Sequence, residues 1–173
     1  NGSPAPSARE LGLKKQRSDI RIANVAGEMF AGACMNYGHL LAIGEYFFRI
    51  DDDDYYGDNY VLDMILMARS IDADLFGKPP VPVCFEGDSK VYVRKIMPQC
   101  CILPVSLLAE GKVWIGGNSI SGTKRFFQQF GYQDSIYGSA DSSLLLRLKE
   151  DCKIVCALTD RFNLVAGRRT DQN

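Results

Sequence analysis

The sequence is poor in several residue types that define common classes of small protein. Its 173 residues include one histidine and one tryptophan, and its six cysteines form no Cys-x-x-Cys pair. Because only His39 could complete a set of metal ligands, neither a structural zinc site nor a disulfide framework is indicated. Reduced, mostly buried thiols in a cytoplasmic protein are the interpretation that fits these cysteines best.

Charge and hydropathy exclude two further classes. Lys and Arg number 20 against 21 Asp and Glu, and no basic stripe with interleaved aromatic residues occurs, so we expect no nucleic-acid partner. No apolar run approaches the length of a membrane span and no signal peptide opens the sequence, so we expect no transmembrane segment. The predicted location is the cytoplasm, including the inner face of the membrane.

What is present suits one α/β domain. Hydrophobic residues make up 46% of the chain, and no linker, repeat or low-complexity tract marks a second domain. Strand-like and helix-like spacing alternate in the first half, which predicts a mostly parallel sheet with crossover helices and short antiparallel additions, in a single domain of residues 1–173. The segments predicted in turn as strand, helix, strand, helix and strand are 19–25, 32–43, 46–50, 59–70 and 73–77.

Four consecutive carboxylates, from Asp51 to Asp54, are the most informative stretch. They follow residues 45–50, whose aromatic and branched side chains predict a short, largely buried strand. The carboxyl end of a strand is where ligands bind in open α/β sheets. Adjacent carboxylates repel one another, and a divalent cation with oxygen ligands, bridging to substrate phosphates, would offset that repulsion.

Two other interpretations of the acidic run stay open. Blocks of like charge usually form solvated loops. The run also places Asp52, Asp54, Gly57 and Asp63 at positions one, three, six and twelve of an EF-hand calcium loop. Tyr56 at position five, the lack of a glutamate at position twelve and the preceding strand-like segment disagree with that pattern.

Asp141 and His39 are further candidates, each with a simpler explanation. Asp141 lies near the start of a predicted helix, where free amide groups and the helix dipole stabilise a carboxylate, so position alone favours a capping role. His39 lies inside the helix predicted at 32–43, where a single histidine is more often packed or solvated than catalytic.

A series of segments spread over the whole chain carries a family resemblance. In order they are Asn1-Gly2-Ser3, residues 32–38, residues 42–54, Gly116-Gly117-Asn118, residues 126–134, and Ala140-Asp141 followed by Leu144 and Arg147. Their order and spacing resemble the landmarks of family 2 glycosyltransferases with the GT-A fold. The resemblance implies a GT-A-like, Rossmann-like domain that transfers a sugar from a nucleoside-diphosphate-sugar donor to a hydroxyl of a saccharide or lipid-linked acceptor, with inversion.

The resemblance also implies roles for the acids. Asp51-Asp52-Asp53 corresponds to the family's DxD motif, in which Asp53 would ligate Mn²⁺ or Mg²⁺ and Asp51 would assist at the metal or the donor ribose. Asp52 and Asn36 are implied to contact the donor. Asp141 corresponds to the second acid of the family's Glu-Asp pair, the implied catalytic base.

The acceptor side of the site is implied by a separate group of residues, namely Trp114, Gly116, Gly117 and Asn118. The first acid of the Glu-Asp pair is here Ala140, a departure from the family pattern. The Gln-x-x-Arg-Trp signature of processive polysaccharide synthases is absent, since Trp114 is the only tryptophan. A transferase that adds single sugars in polysaccharide biosynthesis is therefore the expected subtype.

The resemblance further implies a strand, a helix and a strand before Asn1-Gly2-Ser3, which this sequence does not contain. Family members are implied to hold the base and ribose of the donor there. We therefore expect this chain to bind donor weakly, not to transfer sugar unaided, and to self-associate through an exposed sheet edge. The alternative function is a non-catalytic GT-A-like binding domain, which Ala140 and the missing elements would suit.

Overall fold

The computed structural model describes residues 20–23, 29–93, 98–133, 140–148 and 153–168, and these form a mixed α/β fold. Within them lie five α-helices and nine strands. The helices are α1 (Ala31–Leu41), α2 (Tyr60–Ser70), α3 (Val105–Ala109), α4 (Lys124–Phe130) and α5 (Ala140–Leu146), and a 3-10 turn spans Gly117–Ser119. The strands are β1 (Tyr46–Phe48), β2 (Tyr55–Tyr56), β3 (Leu75–Gly77), β4 (Val83–Phe85), β5 (Val91–Tyr92), β6 (Cys101–Leu103), β7 (Ser121–Thr123), β8 (Cys156–Leu158) and β9 (Leu164–Arg168).

The described strands form two mixed sheets. The larger has the order β1-β7-β3-β8-β6, in which only β3 and β8 are parallel among the described pairs. The smaller has the order β2-β9-β4-β5, with β4 and β9 parallel and the other described neighbours antiparallel. The prediction of a mostly parallel sheet is therefore wrong, whereas the α/β class is confirmed.

Strand β7 is the reason for this difference. It lies between β1 and β3 and runs antiparallel to both, so β1 and β3 point in the same direction without being neighbours. Its sequence, Ser-Gly-Thr, lacks the run of branched and aromatic residues that predicts a strand. Gly122 lets the strand fit, because a Cβ there would lie 2.7 Å from the Asp74 carbonyl oxygen.

Most of the local predictions in the first half are confirmed. The helices predicted at 32–43 and 59–70 are α1 and α2, and the strands predicted at 46–50 and 73–77 are β1 and β3. Residues 20–23 of the strand predicted at 19–25 form no strand. The rest of that segment and the Asn1-Gly2-Ser3 turn lie outside the described residues.

Apolar side chains cover both faces of the larger sheet, because successive residues of a strand point to opposite faces. Leu75 packs into a core that includes residues of α3, α4 and α5. The next residue, Phe76, packs into a second core with Met64 and Ala68 of α2 and with residues of the smaller sheet. Both faces of β3 are thus buried, which fixes this strand as the centre of the fold.

Several charged residues lie at one edge of the larger sheet, beyond the ends of its strands. The strands β1, β3 and β8 point in the same direction, so their carboxyl ends meet at that edge. Arg49 and Asp51 follow β1, Lys78 follows β3, and Asp160 follows β8. Ligands commonly bind at this edge of α/β sheets.

Candidate functional site

The acidic run forms the connection between β1 of the larger sheet and β2 of the smaller one. Two hydrogen bonds fix its path: the Asp51 amide donates to the Tyr56 hydroxyl (2.8 Å), and the Gly167 amide donates to Asp54 Oδ1 (2.8 Å). A Cβ at Gly167 would collide with the Asp53 carbonyl oxygen, so this glycine lets the acidic backbone approach β9. These contacts hold both ends of the run in place, whereas Asp52 and Asp53 between them are exposed.

Arg49 is the centre of the charge arrangement at this sheet edge. Its guanidinium donates to both carboxylate oxygens of Asp51, at 2.7 and 3.1 Å, and to Asp141 Oδ1 at 2.5 Å. Burial opposes the charge of Arg49, but the hydrogen bond to Asp51 and the charges of Asp141 and Asp51 outweigh it and raise its pKa. One cation therefore joins two acids that are far apart in the sequence.

Asp141 lies on the first turn of α5 and faces Arg49 rather than standing alone as a helix cap. Its carboxylate also packs against Gly117, where a Cβ would collide with Oδ2. Burial raises the pKa of Asp141, while Arg49 acts in the opposite direction. The capping interpretation does not account for these contacts, which bring Asp141 to the edge where the acidic run begins.

The implied acceptor-side residues lie next to the acids. Asn118 donates to Asp54 Oδ2 (2.5 Å) from the 3-10 turn that also presents Gly117 to Asp141. Trp114, Gly116 and Asn118 line a cavity of about 200 Å³, together with Pro80, Val81, Val83, Ala166 and Arg168. The structure thus brings Trp114, Gly116, Gly117 and Asn118 into one neighbourhood with Asp54 and Asp141.

Asn36 has a different set of partners. Its amide donates to the Tyr132 carbonyl oxygen and accepts from the Tyr132 amide, both at 2.8 Å. This pair of hydrogen bonds ties α1 to the segment after α4. None of the contacts described for Asn36 reaches the acidic run, and its donor-binding role stays a prediction.

Three tyrosines that the sequence alone did not single out surround Arg49. The Tyr60 hydroxyl donates to the Arg49 carbonyl oxygen (3.4 Å), and Tyr56 holds the Asp51 amide. Burial raises the pKa of Tyr56 to about 12. Burial also raises the pKa of Tyr132, and the neighbouring charge of Asp141 adds to that effect. These hydroxyls therefore stay protonated near neutral pH.

Lys78 and Asp160 form a second ion pair behind this group. The Lys78 side chain is fully buried, and its Nζ contacts Asp160 Oδ1 at 3.1 Å and lies 5.7 Å from the centre of the Tyr60 ring. The Lys78 amide donates to Ser119 Oγ (2.9 Å), and its carbonyl accepts from the Gly116 amide (2.8 Å). Lys78 therefore fastens the 3-10 turn to the ends of β3 and β8.

Oxygen donors of the kind that Mg²⁺ and Mn²⁺ prefer line a cavity of about 360 Å³ beside the acids. Its carboxylates are Asp52, Asp53, Asp54, Glu86 and Asp88. Across the described ranges, no three His, Cys, Asp or Glu side chains converge as a ready-made ion site. The donors fit an ion that is held by one or two carboxylates and completed by water and phosphate oxygens. Asp53 suits this role, since both oxygens of Asp51 already accept from Arg49.

The EF-hand alternative is not supported by the contacts of its acids. Asp54 accepts from Asn118 and Gly167, whereas Asp63, in α2, accepts from Asn163 Nδ2 (2.5 Å). The two carboxylates are thus held by different partners. The solvated-loop alternative describes Asp52 and Asp53, which are exposed, but not Asp51 and Asp54, which are partly buried and hydrogen-bonded.

His39 lies apart from the acids, in an aromatic setting. Its ring is 4.1 Å from that of Phe127, 4.8 Å from that of Phe47 and 5.9 Å from that of Tyr132, measured between centroids. Its buried Nδ1 has no hydrogen-bond partner among the described residues. Burial lowers the pKa of His39 to about 4. The packed interpretation of this histidine therefore fits better than a catalytic one.

No protein-family model matches the sequence, and no curated protein matches it either. The resemblance to family 2 glycosyltransferases thus depends on the segments described above. In the part of the chain that the structure describes, every helix is too short or too polar to cross a bilayer.

Proposed function

We propose that this chain is a glycosyltransferase domain that uses a nucleoside-diphosphate-sugar donor, a divalent cation and a hydroxyl acceptor, and inverts the anomeric centre. The observation that carries the proposal is the Arg49 guanidinium, which contacts Asp51 at a strand end and Asp141 on α5. These are the two acids to which the family resemblance gives complementary roles. Their meeting at one sheet edge supports a shared site for donor and acceptor.

The acidic run supplies the donor side of this proposal. Asp53 would hold Mn²⁺ or Mg²⁺, and Asp51, fixed by Arg49, would orient the metal shell or the donor ribose. When bound, the cation neutralises charge that develops on the diphosphate leaving group. Asp52 lines the same cavity as Asp53 and would contact the donor diphosphate through the bound ion or water.

Asp141 supplies the base of the proposed reaction. A base must come within about 3 Å of the proton that it removes, directly or through one water, in the productive complex. Burial raises the pKa of Asp141, which makes its carboxylate a better proton acceptor from a sugar hydroxyl. Ala140 is buried at the start of α5, so the base would act without the neighbouring acid of the family pattern.

The cavity at Trp114, Gly116 and Asn118 is the proposed acceptor side. An indole ring beside a side-chain amide offers an apolar face and a hydrogen-bonding group, and these are the two features that recognise a saccharide. A lipid-linked saccharide would be placed by the same contacts to its sugar. We place the reaction in the cytoplasm, including the inner face of the membrane, as part of polysaccharide biosynthesis by single additions.

Calorimetric titration of Mn²⁺ into the protein, with and without a nucleoside diphosphate, tests the donor side. We expect the nucleotide to increase Mn²⁺ affinity, and we expect Asp53→Ala to weaken metal binding by about tenfold or more. Asp58→Ala is the matched control, because Asp58 is an exposed aspartate outside the acidic run. Equal metal uptake by wild type and Asp53→Ala would remove Asp53 from the site.

A further inference from the structure

The family resemblance assigns no functional role to Arg49, yet Arg49 makes more charged contacts than any acid of the site. It donates through Nε and Nη2 to Asp51 and through Nη1 to Asp141. The side chains are only partly exposed, at 25% for Arg49, 27% for Asp51 and 34% for Asp141. Water therefore screens these charges less than it would on an open surface.

The shape of the guanidinium makes this arrangement directional. A planar fork with donors on three nitrogens can hold a carboxylate with two bonds and still offer a third donor to a second acid. An ammonium group has the same charge but no fixed plane, so it cannot set the angle between the two carboxylates. Arg49 is itself anchored, since its carbonyl oxygen accepts from Tyr60 and strand β1, which ends one residue before it, pairs with β7.

The position of Asp141 depends on Arg49 on one side and on Gly117 on the other. Gly117 offers no side chain to hold the carboxylate, only room for it. Among the described residues, Arg49 is thus the hydrogen-bonding contact that sets where the Asp141 carboxylate lies relative to Asp51 and the acidic run. A misplacement of about 1 Å in a reacting group can lower a rate by about 100-fold.

We propose that Arg49 is a positioning residue that acts through Asp141 and determines kcat by fixing the base carboxylate relative to Asp51. This inference rests on the proposed function and adds to it a residue that the resemblance does not assign. Arg49 does not react with the sugar or accept its proton. Its effect on the reaction passes through the geometry of Asp141.

The test is a double-mutant cycle on sugar transfer. Transfer is measured for the full-length protein, using a panel of nucleoside-diphosphate sugars with Mn²⁺. The variants are Arg49→Gln, Arg49→Lys, Asp141→Asn and the combinations of each Arg49 variant with Asp141→Asn. Arg125→Gln is the matched control. Arg125 lies on α4 and forms an ion pair with Asp74 (2.8 Å) outside the site.

We expect Arg49→Gln to lower kcat by about 100-fold while the KM values for donor and acceptor change by less than about threefold. Arg49→Lys restores part of kcat, since it keeps the charge and loses the fork, and it carries the test if Arg49→Gln does not fold. In the Asp141→Asn background, either Arg49 variant changes kcat by less than about threefold, because the group through which Arg49 acts is already disabled.

Three outcomes overturn the inference. If the wild type transfers sugar and both Arg49 variants keep its kcat, Arg49 is not a positioning residue and the proposed function stands. If the Arg49 variants lower kcat equally with and without Asp141, Arg49 acts by general support of the fold. If the wild type does not transfer sugar, the proposed function fails and this role fails with it.

Discussion

Arg49, at the sheet edge, and His39, among aromatic rings, differ in whether their surroundings stabilise a positive charge. Arg49 meets two carboxylates, so its charge is retained in a partly buried place. His39 meets three aromatic rings instead, and its neutral form is favoured. Lys124 lines the same cavity as His39 and carries a positive charge, so it cannot stabilise a protonated imidazole ring. The protonation states of Arg49 and His39 therefore respond differently to pH.

The free energy of unfolding should fall as the pH is lowered from about 6.5 to about 4, in part because of His39. The unfolded chain binds a proton at His39 near pH 6.5, whereas the folded chain resists it until about pH 4. The unfolded state therefore binds more protons in this window, and stability present above pH 6.5 is lost through it. After allowance for partial solvent screening, we expect about 1–2 kcal/mol from this group.

Urea unfolding of wild type and His39→Phe at pH 7 and pH 4.5 measures this contribution. Phenylalanine keeps an aromatic ring next to Phe47 and Phe127 and removes the titrating nitrogen atoms. Acidic residues titrate in both proteins, so the difference between the two pH dependences isolates His39. An identical loss of stability in wild type and variant would show that His39 is not held neutral by the fold.

At the scale of elements, the short 3-10 turn Gly117–Ser119 joins the two halves of the site. Its Asn118 holds Asp54, its Gly117 faces Asp141, and Ser119 is held by Lys78. The turn therefore fixes the distance between the acidic run and α5. A side chain added to this turn should act on the site more than on the stability of the fold.

Gly117→Ala should lower kcat for sugar transfer by about 10- to 100-fold, because its Cβ would push the Asp141 carboxylate away from Arg49. The control is Gly38→Ala in α1, where a Cβ meets nothing within 4 Å. Alanine is there expected to stabilise the helix by about 0.5–1 kcal/mol and to leave kcat unchanged. Thermal unfolding and transfer kinetics of both variants check this, and wild-type kcat in Gly117→Ala would refute it.

Periodicity in the sequence was enough to predict α1, α2, β1 and β3, since apolar spacing is a local property. It could not predict β7, whose Ser-Gly-Thr sequence forms a strand only because β1 and β3 flank it. The acidic run can be predicted as a site from its charge. For Arg49 the sequence offers only a local signal, an arginine at the end of an apolar strand and two residues before an aspartate. Its contact with Asp141 spans 92 residues of sequence, and no local pattern encodes it.

At the scale of the whole molecule, apolar residues remain exposed beside one end of the larger sheet. Strand β1 is the terminal strand of the described sheet, and α1 next to it exposes Leu40 by 78%. Ile43, which follows α1, is exposed by 82%. Strand edges and apolar patches of this kind favour association with another chain. A formal net charge of −1 gives little repulsion between copies.

We expect the 173-residue chain to self-associate through this surface. Sedimentation velocity at micromolar concentrations should show dimers or larger species, and the double variant Leu40→Glu/Ile43→Glu should shift the protein towards monomer. Ile102→Glu is the control, because Ile102 is exposed by 59% on β6 at the opposite end of the sheet. Association that persists in the double variant, or that only Ile102→Glu abolishes, would place the contact elsewhere.

The measurement that tests the account most directly is sugar transfer by wild type, Asp141→Asn and the control Asp58→Asn. With Mn²⁺, a panel of nucleoside-diphosphate sugars and saccharide acceptors, we expect the full-length wild type to transfer sugar. Asp141→Asn should lower kcat by about 100-fold or more, the usual range for loss of a general base, and Asp58→Asn should leave it unchanged. Transfer by Asp141→Asn at the wild-type rate, or no transfer by the wild type, would contradict the account.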